Sequence, residues 1–513
     1  LGKAALIHSL DRESLALALS KEAKKQGVAS DVLLEINCGR EANKGGVLPE
    51  EAEALAELVC SLEGLSLKGL MTMAPVCEQK EDYRPYFKEV RRLYEKMKES
   101  GLFDTDSPVL SMGMSGSYEI AAAYAPIRIR WTNGGLEIRN VLDFTNLSEY
   151  TLHIQFEHDG KLLAGRKLTV NCPPHNSILI EPDILLPTQC RLGLYCTVTL
   201  LDQSKQVVAW FQEKLPCETL SQKEVFEPAI LQEDRRYIFA ETPNVTYRFD
   251  QLTGCIDRIC VDGQELLEGP MQLGAFRAAT DNERKMDPLW NNLTIWKGEN
   301  LDYTFNNVHD ICVGNGVIRT KGVLAGVSRR PFLQYETAYH FGSDGQLRIV
   351  LDAQVAEDAV WLPRLGFQLT VPHQNLPYTY FGMGPMECYC DSCHHGKIAF
   401  FSSYASDEYV PYVNPQEHGN HIRVKTLTLD KKLTVTGDDF DFNASVYPAH
   451  MLYRAKHTDE LHLTGKTYLR LDYKNSGLGS ASCGTELDEK YRLQEKQIHF
   501  ELLFAPAVNT KEE

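Results

Sequence analysis

Apolar and polar positions follow two different rhythms along this chain of 513 residues. Near the start, short apolar runs alternate with stretches of helical period. The runs are Leu6–Leu10, Val32–Asn37, Leu67–Met73 and Pro108–Met114. The spacing between them predicts a helix ending near Gln26, a second over Leu48–Leu62 and a third from Tyr83 to a glycine stop at Gly101. The second opens with Pro49, Glu50 and Glu51. Proline loses no hydrogen bond in a first turn, and carboxylates favour the positive end of a helix. A further helical stretch begins at Ser117. Strand and helix repeated in this way imply parallel strands with helices outside, a partial α/β barrel.

From about Pro126 the rhythm changes to period two, punctuated by Gly, Asn and Asp. Asn133-Gly134, Thr253-Gly254 and Asp262-Gly263 are hairpin cues, because these residues tolerate the positive φ that tight turns need. No long helical pattern intervenes. The expected organisation is a partial barrel over residues 1–124, an immunoglobulin-sized β-sandwich over 125–217 and a larger β-sandwich over 227–507.

Composition narrows the function classes. A net charge of −17 argues against nucleic acid, whose phosphates attract basic surfaces. No apolar run approaches the ~18 residues of a membrane span. The chain opens at Leu1 without a visible leader, and its 14 cysteines form no regular framework. Both features read as reduced thiols in the cytoplasm.

Several clusters invite a chemical reading. Cys388, Cys390, Cys393, His394 and His395 are crowded together, yet C-x-C-x₂-C-H-H lacks the second close pair of a structural zinc site. Adjacent histidines on a strand also point to opposite faces. A solvated loop with free thiols is expected, and no metal. Asp438 and Asp439 read as a solvated turn before a strand. Glu417 and His418 could form an acid/base pair, or Glu417 could belong to a structural loop.

The early segments LIHSLDRESLALAL, VLLEINCGREANKGG, LKGLMTMAP and LSMGMSGSYEIA resemble the pyridoxal-phosphate homeostasis family over about residues 1–122. That resemblance implies an alanine-racemase-like barrel and a phosphate contact at Ser115 and Gly116. The family's Schiff-base lysine has no counterpart, since Lys3, Lys44 and Lys68 lie off the motif. Ser117 stands where the family usually has Asp.

The rest resembles the C-terminal region of glycoside hydrolase family 2 β-galactosidases. The carriers are EIRNVLDFTNLSEYTLHIQFEHDGK, EGPMQLGAFRAATDNE, YFGMGPMECYCDS, EYVPYVNPQEHGN and GLGSASCG. The resemblance implies an immunoglobulin-like sandwich followed by the large small-chain sandwich. It implies a substrate rim at Asp281 and Asn282, with Cys483 in the Gly-rich loop where some members carry a sugar-stacking Trp. A structural role for Asp281, capping a turn, is the competing expectation. Ala279 and Glu283 replace the usual Pro and Asp. The family's paired catalytic glutamates belong to a barrel upstream of the immunoglobulin-like domain, and neither motif is found here. The expected function is therefore β-galactoside hydrolysis by family, this chain supplying scaffold and rim without a catalytic residue. Its partner is a β-galactoside or a catalytic-barrel chain, with a homo-oligomer left open. The alternatives are a pyridoxal-phosphate-binding fragment and a non-catalytic carbohydrate-binding module.

Overall fold

Four strands, Ile7–Leu10, Ser30–Ile36, Leu65–Thr72 and Val109–Met112, pair in parallel in chain order. The computed structural model describes residues 6–42, 44–75, 77, 80–105, 108–113, 127–132, 135–142, 144–220, 227–283, 285–291, 298–479 and 486–507. Helices Glu13–Gln26, Ala52–Ser61 and Arg84–Glu99 join the strands. The third shows why these segments are helical. Phe87, Val90, Tyr94 and Met97 fall on one stripe and are buried, and Pro85 sits in the first turn. The four predicted strands and the first three predicted helices are thus present, and the parallel α/β reading holds; the helical stretch expected from Ser117 lies outside the described residues. An open half-barrel leads one to expect unpartnered inner side chains. Leu33 and Leu70 are instead buried, and Met71 and Leu110 half-buried.

The next segment forms two antiparallel sheets. One holds Ile127–Thr132, Gly135–Asn140 and Ser177–Ile180; the other holds Thr151–His158, Lys161–Leu168, Leu194–Leu201 and Val207–Lys214. Inward residues such as Ile127, Ile138, Ile154 and Val198 form one buried core. Ile154 lies opposite Val198, and Phe156 opposite Cys196, so the period-two pattern faces inward on both strands. A disulfide joins Cys190 and Cys217, which corrects the reading of wholly reduced thiols.

The chain divides by contacts into Leu1–Glu218 and Thr219–Glu513. The second unit opens with a five-stranded sheet between Leu231 and Glu265. Its Asp262-Gly263 cue forms the expected turn, with φ of 48° and 78°. A twelve-stranded sheet follows. In it Arg364–Val371, Thr467–Asn475 and Leu433–Ser445 are neighbours. The last of these changes partner midway. Leu433–Gly437 pairs with Gln497–Pro506, and Asp441–Ser445 with Thr467–Asn475. Asp438 and Asp439 sit at the changeover, within the strand rather than in a turn before it. They are nevertheless solvated, within 3.3 Å and 3.4 Å of Lys425. Among the described residues no helix is long and apolar enough to cross a membrane.

Candidate functional site

Four segments far apart in sequence meet at one place in the second unit: 277–283, 387–391, 414–420 and 475–479. Each lies in a stretch singled out from the sequence; their convergence was not visible there.

The first segment is held from beneath by Arg277, which is fully buried. Its Nη1 donates to the Ser476 carbonyl at 2.7 Å, and its Nη2 to the Gly477 carbonyl at 3.0 Å and to Glu283. Burial opposes the Arg277 charge, but Glu283 outweighs it and raises the guanidinium pKa. Glu283 Oε2 accepts from the Thr280 N–H at 2.9 Å, while the Glu283 N–H donates to the Thr280 carbonyl at 2.9 Å. This reciprocal pair closes the one-turn 3₁₀ helix Asp281–Glu283. Glu283, one of the two departures from the family pattern, thus caps the turn.

Asp281 and Asn282 are half-buried on that turn. The Asp281 N–H donates to Gln416 Oε1 at 2.9 Å, and Asn414 Nδ2 donates to Asp281 Oδ1 at 3.3 Å. The Glu417 N–H donates to the Ala278 carbonyl at 3.1 Å. Three bonds thus fasten the rim turn to the 414–417 loop. Glu417 is itself buried and accepts from Arg364 Nη1 at 2.9 Å. Arg364 Nε also donates to Asp472 Oδ2 at 2.9 Å. Glu417 is therefore a structural ion-pair partner, and its neighbour His418 bonds through Nδ1 to the Gln416 carbonyl at 2.8 Å.

The cysteine-rich segment closes the far side. The Cys388 N–H donates to the Asn420 carbonyl at 2.6 Å, and Asn420 Nδ2 returns a bond to the Cys388 carbonyl at 3.0 Å. Asp391 accepts from the N–H groups of Leu478 and Gly479, both at 3.1 Å. Cys388 and Cys393 are buried, which corrects the solvated-loop expectation, though their thiols are free. Burial pushes the Cys388 and Cys390 thiols up to about 12, so neither is a ready nucleophile. Among the described residues no group of His, Cys, Asp or Glu has the geometry of a metal site.

Cys483 lies outside the described residues, as do Ser115 and Gly116. Two lysines of the first unit that lie off the family motif have protein partners. Lys68 Nζ donates to the Asp104 carbonyl at 2.7 Å, and Lys44 pairs with Glu41 at 2.8 Å. Arg277, Arg364, Asp472 and Glu283 were missed as network residues. Their signal was a charged residue recurring in the inward rhythm of a strand or loop.

Comparison with known proteins gives three ordered matches. The family described as "Beta galactosidase small chain" matches residues 241–504, "Beta-galactosidase, domain 4" matches 136–216, and "Alanine racemase, N-terminal domain" matches 2–135. The chain is 29% identical to a protein named Beta-galactosidase from Actinobacillus pleuropneumoniae over 406 residues, 76% of this chain and 40% of that protein. It is 25% identical to the Beta-galactosidase of Staphylococcus xylosus, over 75% of this chain and 40% of that protein. Its first part is 44% identical over 121 residues to the Pyridoxal phosphate homeostasis protein of Aquifex aeolicus, 24% of this chain and 52% of that protein. The chain thus spans well under two thirds of each of these relatives.

Proposed function

The chain belongs to the beta-galactosidase small-chain family, and from that premise we propose that it supplies the sandwich scaffold and substrate rim for hydrolysis of a β-D-galactoside. The chemistry itself is assigned to a barrel carried by another chain. Retaining hydrolysis uses two carboxyl groups about 5 Å apart, one an ionised nucleophile and the other a proton donor that later acts as base. The buried carboxylates at the four-segment junction are already engaged: Glu283 by Arg277, Glu417 and Asp472 by Arg364. They brace the rim rather than attack a glycosidic bond. Asp281 and Asn282 are the proposed sugar-facing residues, and Cys483 of the Gly-rich loop is proposed as a third rim residue.

The single observation that carries this reading is the fastening of the 277–283 turn to the 414–417 loop. It gives Asp281 a fixed position from which to meet a sugar hydroxyl. The test is complementation. The purified chain alone is expected to leave a chromogenic β-galactoside untouched. Mixed with a family catalytic barrel lacking its own small-chain region, it is expected to restore turnover, with Asp281→Ala raising KM. Turnover by the chain alone, or no binding to the barrel, would sink the proposal.

A further inference from the structure

The twelve-stranded sheet turns one face to the main core and the other outwards. Four neighbouring strands show both faces: Lys397–Tyr404, Pro377–Gly384, Asn420–Leu429 and Leu433–Ser445. Tyr378, Tyr380, Leu427, Leu429, Leu433 and Val435 enter the core. The alternate positions face outwards and fall into rows straight across the strands. Ser402, Thr379, Thr428 and Thr434 form one row. Phe400, Phe381, Thr426 and Thr436 form the next. Tyr404 stands beyond Ser402 on the edge strand. Phe400 and Tyr404 are 45% and 51% exposed, with exposed Ser402 between them. Phe381 is buried against Phe400, the ring centres 5.1 Å apart.

No side chain in these rows is charged, and this sets the region apart. The same outward face continues from Thr436 through Leu503 to Arg348, and there charge recurs at alternate positions. Lys321 lies 3.3 Å from Glu336, Arg348 3.2 Å from Glu501, and His499 2.7 Å from Asp352. Lys425, next to Thr426 in the chain, is paired with Asp438 and Asp439. In the neutral region hydroxyls pair instead. Thr379 Oγ1 lies 2.9 Å from Ser402 Oγ, and Thr428 Oγ1 lies 3.1 Å from Thr434 Oγ1. Within each pair one hydroxyl donates to the other. One O–H and several lone pairs per pair are left for an outside partner.

Three kinds of partner fail on this face. An apolar one strips water from the hydroxyls without replacing their bonds. A polyanion meets no cation in the rows and a chain of net charge −17 around them. A polycation finds no carboxylate in the rows to pair with. An uncharged polyhydroxyl chain meets both demands of the surface. Its C–H faces lie on the exposed rings, and its hydroxyls exchange bonds with Ser and Thr. Phe400 and Tyr404 are four residues apart on one strand, ~13 Å at the usual rise, which is longer than one sugar ring. We propose that this face binds a neutral polysaccharide, seated on Phe400 and Tyr404 with its hydroxyls over the row from Ser402 to Thr434. The face shares no residue with the sugar rim, so the proposal does not rest on that assignment.

Calorimetric titration of the full chain with soluble β-1,4-galactan and, separately, with polygalacturonate tests it. Saturable galactan binding is expected, with polygalacturonate at least tenfold weaker because every unit carries a charge. Methyl β-galactoside, which spans only one ring, is expected not to displace galactan. Displacement would place the binding at the rim and overturn the proposal. Tyr404→Ser is expected to weaken galactan at least tenfold at an unchanged thermal midpoint. Thr434→Val, which removes a hydroxyl and keeps the side-chain shape, is expected to weaken it severalfold. No saturable galactan binding by the parent chain, or unchanged affinity in a folded Tyr404→Ser, overturns the inference. So does a concentration-dependent dimer in sedimentation that Tyr404→Ser abolishes, which would give the face to a second copy of the chain.

Discussion

Arg364 Nη1 donates to Glu417 Oε1 across 2.9 Å, joining a central strand to a loop 53 residues further on. The same guanidinium holds Asp472, so one cation fixes two carboxylates that are both buried. Removing the cation alone leaves both charges uncompensated, which is the costly way to break a buried pair. Arg364→Met is expected to lower stability by about 3–5 kcal/mol. Urea unfolding followed by tryptophan fluorescence measures it, and a loss below 1 kcal/mol would mean that the network is not load-sharing.

Asp441 gives a pH signature of opposite sign to an ordinary paired carboxylate. Burial is the main cause that pushes its carboxyl up to about 8. The Asn475 N–H works against this, Asp472 adds to it, and Arg364 and Lys474 oppose it. Its unfolded value is about 3.9. Between those values the folded state binds more protons, so this group's contribution is full below about 3.9 and lost as pH rises through about 8. Asp441→Asn imitates the protonated form. The parent chain is expected to lose about 2 kcal/mol relative to this variant between about pH 6 and pH 8. Parallel urea midpoints would expose a contrary slope.

Trp290 anchors the segment that follows the rim turn. It is fully buried, donates from Nε1 to the Trp361 carbonyl at 2.8 Å and lies 5.9 Å from the Arg277 guanidinium. Trp290→Ala is expected to cost about 3–5 kcal/mol through the cavity it leaves. Hydrogen exchange should quicken over 277–283 in this variant, and unchanged protection there would separate the rim from its supposed anchor.

The thiols report the disulfide directly. Denatured without reductant, the chain should present two fewer reactive thiols than its 14 cysteines allow, the missing pair being Cys190 and Cys217. In the native protein, exposed Cys312 should alkylate well before Cys388 or Cys390, whose thiolates burial suppresses. Peptide mass mapping after alkylation decides both points.

Much of this was legible along the chain. The first three helices, the four parallel strands and the Asp262-Gly263 turn follow from local period and from residues that tolerate positive φ. The ordered stretches around Arg277, Glu387, Asn414 and Gly477 were also visible as distinct. What periodicity could not give was which of them touch. That depends on the pairing of strands a hundred residues apart, and no local preference encodes it.

Sequence alone determined the change from helical to alternating rhythm, the two families and the loops that matter, because those are carried by neighbouring residues. Only the tertiary structure decided that Arg364, Arg470, Asp472 and Asp441 are buried. An alternating strand with charges on one face reads as half-solvated, and its pattern is the same whether water or a loop covers that face. Here the 414–418 loop and the Ala449–Arg454 helix lie over it. The burial of those charges, and with it their pairing and altered pKa values, comes from a cover supplied by distant parts of the chain.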